Sequence, residues 1–293
     1  MPQEILDRVQ SILDKPLQKI EKVEAIAYED FYKNYHQKNK PIFMTNMMNH
    51  WKAADLWDLD YFEKIGKDKE TFISKGNIRQ GETKWEYGDF LDYLNQVRNS
   101  KNGGTDVYLG NIPIAKMFPE LLDHIDFSFV SKNVARNSTS LWIGPKGTIT
   151  GWHTDRLANN ILALMQGRKL VFLVSPEETK FMYPSNKYEP GSRLSSVSME
   201  EFDESNTPLF KNANVTYAVI HPKQMLFIPQ NWWHCVYGLD ITISSNNFAF
   251  STLDNIKMKS TEFTKRVLHN FGLFGNKDCV CHYYDENGKR HKR

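Results

Sequence analysis

The residue pair His153 and Asp155 has the spacing of two metal ligands on one strand. In the segment Gly151-Trp152-His153-Thr154-Asp155, residues two positions apart on a β-strand point to the same side. An imidazole nitrogen and a carboxylate oxygen would therefore face one cavity. A third donor, His234, follows the apolar run 225–228 at the edge of another expected strand. Two histidines and one carboxylate on one face, with the opposite positions open, are typical of non-haem iron(II) sites.

Each part of this set is weak alone, since a His-x-Asp pair arises by chance and a single histidine more often has a structural role. Lys169 adds a further signal because it begins the apolar strand 169–174, with Val171 and Leu173 on its face. An inward lysine is costly unless a negative group pairs with it, and a bound dicarboxylate would supply that group. The alternative is a lysine at the strand entrance that reaches water.

The order and spacing of these residues resemble those of the JmjC-type hydroxylases, a cupin-like family. The matching motifs all lie in or beside the expected strands: residues 142–155, Asn160, Gln166-Gly167-Arg168-Lys169, Ser175-Pro176, Tyr183-Pro184, Phe227-Ile228-Pro229, Trp233-His234 and Asn246-Asn247-Phe248. The resemblance continues upstream in Asn39-Lys40-Pro41-Ile42 and Asn49-His50-Trp51, and it covers about residues 20–250. Within the family, the chain looks most like the compact protein-hydroxylase branch, which includes arginyl and asparaginyl hydroxylases.

The resemblance implies a mostly β fold with flanking helices, namely a double-stranded β-helix (jelly roll) with helical N-terminal and C-terminal regions. It implies Fe(II) and O2, with 2-oxoglutarate chelating the iron. The far carboxylate of 2-oxoglutarate would pair with Lys169, and Thr150 would hydrogen-bond the same end. Tyr108 matches a family tyrosine that reaches the co-substrate from an earlier strand.

Two amide contacts to the co-substrate are also implied, and each has a neighbouring alternative. Asn160 matches the first, but the stretch from His153 to Lys169 is one residue longer than in close relatives, so Asn159 competes. The second lies on the last strand at Asn246 or Asn247, and the comparison favours Asn247.

The local patterns predict where these residues are held. Helices are expected at residues 3–14, 28–35, 60–65, 87–97 and 256–271, and short strands at 41–44, 141–143, 162–165, 169–174, 218–220, 225–228 and 241–243. These imply a helix-rich region 1–105 packed on the barrel, a catalytic core 106–252, and a C-terminal helical region with a basic tail at 253–293. The long polar segment 184–215 is typical of a functional or disordered loop.

The bulk composition is that of an ordinary soluble globular protein, with 40% hydrophobic and 25% charged residues. A net charge of +2 gives no signal for nucleic acid or membrane. Three cysteines fit a reducing compartment, so we expect a cytoplasmic protein, or a nuclear one in a eukaryote. Cys279-x-Cys281-His282 offers three zinc donors at tight spacing without a second half, which favours ordinary tail cysteines.

The function predicted from these signals is hydroxylation of a side chain in a protein or peptide, with succinate and CO2 as co-products. Lysine demethylation uses the same chemistry and ranks lower, because no segment resembles a chromatin-reading module. An oxygenase of free amino acids and a non-enzymatic binding cupin are further alternatives. A homodimer is expected through the helix 256–271, where Phe263, Val267 and Phe271 share a face that Leu268 widens.

Overall fold

The computed structural model describes residues 2–75, 84–100, 107–131, 133–155, 158–275, 279 and 281–292. Its α-helices are α1 (Pro2–Ile12), α2 (Tyr28–Phe31), α3 (Ala53–Leu56), α4 (Leu59–Ile65), α5 (Phe90–Asn99), α6 (Ile114–Met117) and α7 (Thr252–Asn270). A π-helix follows α2 at Tyr32–His36, and short 3-10 helices lie at Pro119–His124, Ser128–Val130, Arg136–Ser138, Pro176–Phe181 and Pro208–Asn212.

The strands are β1 (Gln18–Lys19), β2 (Lys22–Val23), β3 (Ile42–Met44), β4 (Glu70–Lys75), β5 (Lys84–Asp89), β6 (Leu109–Pro113), β7 (Thr139–Gly144), β8 (Ile149–Asp155), β9 (Asn160–Gln166), β10 (Lys169–Val174), β11 (Ser192–Leu194), β12 (Thr216–Ile220), β13 (Gln224–Ile228), β14 (Trp233–Gly238), β15 (Thr242–Asn247), β16 (His282–Tyr284) and β17 (Arg290–Lys292). Two short hairpins, β4–β5 and β16–β17, stand outside the main sheets.

Two facing sheets form the centre of the molecule. One has the strand order β1-β12-β10-β14-β8-β11 and the other the order β2-β3-β13-β9-β15-β7-β6. From β7 to β10, and again from β12 to β15, the chain passes from one sheet to the other at each strand. This winding is the double-stranded β-helix of a jelly roll, and it confirms the predicted fold class.

Both faces of the central strands are covered, which explains why they read as continuous apolar runs rather than alternating ones. All six residues of β10 are buried. Leu170 and Phe172 pack outward against a cluster that includes Val9 of α1. Val171 and Leu173 point into the space between the sheets. A side chain that enters this space from β10 therefore meets little water.

The N-terminal helices cover the outer face of the second sheet. Trp51, Phe62 and Phe90 are almost fully buried in one cluster with Ile161 and Ala163 of β9. Each such aromatic contributes about 1.5–3 kcal/mol by leaving water. The short strands β1, β2 and β3 also join the two sheets. The region boundary expected near residue 105 lies outside the described residues, and that division stays a prediction.

Several predicted elements differ in detail. The helix expected at 87–97 begins at Phe90, because Asp89 accepts a hydrogen bond from the backbone N–H of Asp92 and residues 84–89 pair as a strand with β4. The helix expected at 28–35 continues as a π-helix. Across the described part of the chain, no helix combines the length and the apolar character needed to cross a membrane.

Candidate metal centre and co-substrate pocket

The structure brings the three expected metal donors together. His153 and Asp155 lie two residues apart on β8, and His234 on β14 is the direct cross-strand partner of His153. The two imidazole rings are 4.0 Å apart between centroids. The carboxylate of Asp155 lies 3.8 Å from Nε2 of His153 and 3.5 Å from Nε2 of His234. All three donors can thus face one point, as a facial two-histidine, one-carboxylate site requires.

A backbone contact fixes the orientation of each histidine. Nδ1 of His153 lies 2.8 Å from the carbonyl oxygen of Gly151, and Nδ1 of His234 lies 3.0 Å from that of Trp232. Each Nδ1–H donates to that carbonyl, so the lone pair of Nε2 is free for a metal. Burial, and then the neighbouring His153, lower the pKa of His234 to about 4. At neutral pH His234 is therefore in the uncharged form that binds metals.

A chain of two amides orients the carboxylate ligand. Nδ2 of Asn160 donates to Asp155 at 2.8 Å, and Nδ2 of Asn246 donates to Oδ1 of Asn160 at 2.5 Å. The competitor Asn159 points elsewhere, because its Oδ1 accepts from the backbone N–H of Gln230 at 3.0 Å. Of the two candidates at 159 and 160, the structure therefore brings Asn160 to the metal ligands.

The structure places the two alternatives for the second amide on opposite faces of β15. Asn247 points to the opposite face of β15, where its Nδ2 donates to the carbonyl of Ala135 and to Oγ1 of Thr139, both at 3.1 Å. Its Oδ1 accepts from the backbone N–H of Ala249. Successive strand residues alternate sides, so Asn246 is the residue on the side of the site.

Lys169 lies inside the barrel, with 4% of its surface exposed. Its Nζ donates to Oγ of Ser244 at 2.7 Å, and among the described residues no carboxylate forms an ion pair with it. Loss of hydration lowers its pKa to about 7. A buried cation without a counter-ion fits a site for an anion. The sequence alternative, a lysine that reaches water at the strand entrance, does not hold.

Strand register relates Lys169 to the metal ligands. Across β10 and β14, Lys169 pairs with Gly238 and Leu173 pairs with His234. Four residues of strand separate the two pairs by about 13 Å. A short dicarboxylate and the lysine side chain together can span that gap, so the residues present fit an iron ion with 2-oxoglutarate beside it.

Tyr108 and Thr150 form the wall of the same cavity. Burial raises the pKa of Tyr108 well above its usual value, and the neighbouring Thr150 opposes this shift only weakly. The phenol therefore keeps its proton and can donate a hydrogen bond. The Tyr108 ring also packs on Trp142, with 5.7 Å between centroids. Tyr108 and Thr150, which the resemblance expects to contact a co-substrate, therefore both line this cavity.

The cavity has a volume of about 580 Å³ and opens to the surface beside His153 and Asp155. Trp142 and Trp152 line it. Two further walls were not anticipated. One is Glu189–Gly191 in the long loop, whose length was a general signal of function. The other is α7, through Met258 and Glu262, which no sequence signal linked to the site.

Comparison with known proteins supports the same class. The cupin-like domain family matches residues 28–254. HSPB1-associated protein 1 of Rattus norvegicus is 37% identical over 254 residues, which cover 78% of this chain and 52% of that protein. Lysine-specific demethylase JMJ30 of Arabidopsis thaliana is 29% identical over 232 residues, which cover 77% of this chain and 53% of that protein.

Lysine-specific demethylase 8 of Xenopus tropicalis is 26% identical over 231 residues, covering 77% of this chain and 51% of that protein. The chain spans about half the length of these curated relatives. It belongs to the cupin-like JmjC family of 2-oxoglutarate-dependent oxygenases, which confirms the resemblance drawn from the sequence.

Proposed function

We propose that this protein is an Fe(II)- and 2-oxoglutarate-dependent dioxygenase that hydroxylates a side chain of a protein or peptide. The observation that carries the proposal is that one barrel holds a set of metal donors and a buried cation. The donor atoms of His153, Asp155 and His234 lie close to one another, and His153 and Asp155 line the cavity. The buried ammonium group of Lys169 lies deeper in the same barrel, and no carboxylate in the described part of the chain forms an ion pair with it.

When bound, iron(II) and 2-oxoglutarate supply the oxidising power that inserts one oxygen atom of O2 into a C–H bond, with succinate and CO2 as co-products. The residues of this chain position the reactants and exclude water. His153, Asp155 and His234 would hold the metal, and Asn160 keeps the carboxylate in orientation. Lys169, together with Thr150 and Tyr108, would anchor the far carboxylate.

A protein or peptide substrate is favoured by the open side of the cavity. Its rim is built by Glu189–Gly191 and by α7, so an extended chain could lie across it with one side chain inserted. The resemblance to the compact hydroxylase branch favours hydroxylation. The names of two relatives, both lysine-specific demethylases, favour removal of an N-methyl group as the second candidate.

One experiment separates these activities. Peptide arrays and lysate are incubated with enzyme, iron(II) and 2-oxoglutarate, and products are scanned by mass spectrometry. We expect a gain of one oxygen on unmethylated peptides, absent with His153→Ala. Formaldehyde release from methylated lysine peptides, with no oxygen gain on any peptide or protein, would instead establish demethylation. No oxidised product and no succinate in either assay would contradict both.

A further inference from the structure

A second group of metal-binding side chains lies at the C-terminus, outside the catalytic cavity. It comprises His269 in the last turn of α7, Cys279, Cys281, and His282 at the start of β16. One potential ligand atom from each residue lies within 4.8 Å of all the others. The motif Cys279-x-Cys281-His282 supplies only three donors, and the helix brings in the fourth from ten residues upstream.

The distances match a tetrahedron around zinc. Zinc bonds of about 2.0–2.1 Å to nitrogen and about 2.3 Å to sulfur imply edges of roughly 3.3 Å between two nitrogens and roughly 3.6 Å between nitrogen and sulfur. Nε2 of His269 lies 3.1 Å from Nδ1 of His282. Sγ of Cys281 lies 3.2 Å from each of these nitrogens. Sγ of Cys279 lies 3.6 Å from Nδ1 of His282.

The surroundings prepare these side chains for a metal. Nδ1 of His269 pairs with the carbonyl oxygen of Phe274 at 2.9 Å, which leaves Nε2 for coordination, as at other histidine metal sites. His269 and Cys279 are 1% and 2% exposed. Both cysteines are free thiols. Four donors and no open position make a closed site, which is the structural rather than the catalytic type.

Arg290 is the competing partner of the two imidazoles. Its Nη2 lies 2.6 Å from Nε2 of His269 and 3.1 Å from Nδ1 of His282, and its Nη1 donates to the carbonyl of His269. A metal would take both nitrogen lone pairs, so the guanidinium would have to turn away from them. Each thiol gives its proton to solvent on binding, and two thiolates cancel the charge of a divalent ion.

The cluster also borders the catalytic cavity. The ring of Tyr188 packs against His269 in a tilted contact with 4.2 Å between centroids, and the backbone at Tyr188 forms a β-bridge to Cys279. The next three residues, Glu189–Gly191, form the cavity rim, where the N–H of Gly191 donates to Glu262 of α7 at 2.8 Å. A metal ion that orders the cluster would therefore also hold Glu189–Gly191 in place at the cavity.

We infer that His269, Cys279, Cys281 and His282 bind one structural zinc ion, which fastens the end of α7 and the C-terminal hairpin to the loop at the cavity rim. This zinc site is independent of the iron chemistry proposed above. Its test accordingly reads zinc content and loop protection rather than turnover.

Zinc content is measured on the tag-free full chain carrying His153→Ala, after zinc titration and dialysis, because the two-histidine, one-carboxylate site would otherwise take zinc as well. We expect about one zinc per chain in this protein, and nearly none when Cys279→Ser with Cys281→Ser, or the milder His269→Gln, is added to it. Adding Cys235→Ser, in the barrel, should leave the zinc in place. Cobalt(II) in place of zinc should give a sulfur-to-cobalt charge-transfer band that the Cys235→Ser control retains and the cluster variants lose.

Hydrogen exchange then tests the structural role, with protection at residues 188–191 expected to fall when zinc is chelated. A His153→Ala protein that stays zinc-free after titration, with Arg290 as the partner of the imidazoles, would overturn the inference. So would zinc that survives in the cluster variants, or an intact mass that shows a Cys279–Cys281 disulfide.

Discussion

At the metal site, each histidine donates from Nδ1 to a carbonyl two residues before it, and the free Nε2 atoms face Asp155. Each of these three side chains is oriented by its own hydrogen bond. Removing one side chain therefore leaves two donors in place and a missing third position at the metal. We expect His153→Ala or Asp155→Ala to reduce bound iron from about one per chain to nearly none. Anaerobic iron(II) titration followed by metal analysis measures this. The exposed His50, changed to Ala, is the control, and unchanged iron in both site variants would remove these residues from the metal.

Lys169 predicts a pH dependence of 2-oxoglutarate binding. Burial sets its pKa at about 7 without ligand, whereas a carboxylate partner favours the charged form. Above pH 7 the free amine must therefore gain a proton on binding, and the apparent Kd should rise by up to about tenfold per pH unit. Below pH 7 the amine is already charged, so this group adds no pH dependence.

Calorimetry on the manganese(II) form, in two buffers of different ionisation heat, counts the proton taken up. Lys169→Arg stays charged across the range, so its binding should lose this slope, and Lys169→Ala should need far more 2-oxoglutarate. An affinity of the wild type that is flat between about pH 7 and pH 9 would contradict the role given to Lys169.

The neighbours Asn246 and Asn247 should differ in what their loss impairs. Asn246→Ala breaks the amide chain to Asp155, and we expect a fall of about tenfold to hundredfold in iron affinity. Asn247→Ala leaves buried partners of its amide unpaired, so we expect about 3 kcal/mol of lost stability with unchanged iron affinity. Urea unfolding and iron titration on both variants measure this, and the reverse pattern would restore Asn247 to the site.

The sequence could predict that His153 and Asp155 lie close together, because a period of two on a strand brings them to one side. Why the sequence could not decide between Asn246 and Asn247 has a physical explanation. Every residue of β15 is buried, so no alternation of polar and apolar residues marks which face meets the site. The contact of each amide depends on sheet pairing, which local sequence does not reveal.

Among the secondary-structure elements, the turn between β9 and β10 sets the positions of Asn160 and Lys169. Gly167 in this turn has a φ of +76°, and an added Cβ would lie 2.3 Å from the carbonyl oxygen of Ile241. We expect Gly167→Ala to cost more than about 2 kcal/mol of stability, from strain and clash together. Gly288 has a φ of +73° with open space around it, so Gly288→Ala should cost only about 1 kcal/mol. Equal urea midpoints for the two variants would show that the clash relaxes freely.

Elements with a strong local pattern were predictable, and those defined by pairing were not. The apolar strands β9, β10, β12, β13 and β15 overlap the segments where the sequence predicts strands, because Gly, Pro and Asn residues separate them. The hairpin β4–β5 was not anticipated, since its two strands carry charged and polar residues and form by pairing with each other. For α7 the sequence predicted the helix and its apolar side, but not that the opposite side faces the cavity.

For the whole molecule, α7 presents an unusual distribution of polarity. Its apolar stripe, defined as Leu253, Ile256, Phe263, Val267 and Phe271, falls within an arc of about 80° at 100° per residue. The side that contacts the protein is instead largely polar, with Asn255, Glu262 and His269. Of the stripe, Leu253, Ile256, Phe263 and Phe271 are 77%, 58%, 69% and 77% exposed. The barrel flank therefore does not cover them.

A second copy of the chain can cover the stripe. Two-fold pairing places the same patch on both partners, so eight exposed apolar side chains would be buried together. Their removal from water favours association, since burial of each exposed apolar side chain contributes about 1–3 kcal/mol. We therefore expect a homodimer through α7, as the resemblance to the compact hydroxylases implies.

Light scattering coupled to size exclusion measures the mass against the 34.2 kDa of one chain. We expect a dimer that Phe263→Glu with Phe271→Glu converts to a monomer, because four carboxylates would meet in the apolar interface. Both side chains point to solvent within the protomer, so its own fold should keep its melting temperature. Lys22→Glu with Lys33→Glu adds two carboxylates at exposed positions far along the chain and should leave the dimer intact. A single-chain mass across a wide concentration range would exclude the dimer. A dimer that persists in the Phe263→Glu, Phe271→Glu variant would place the interface on another surface.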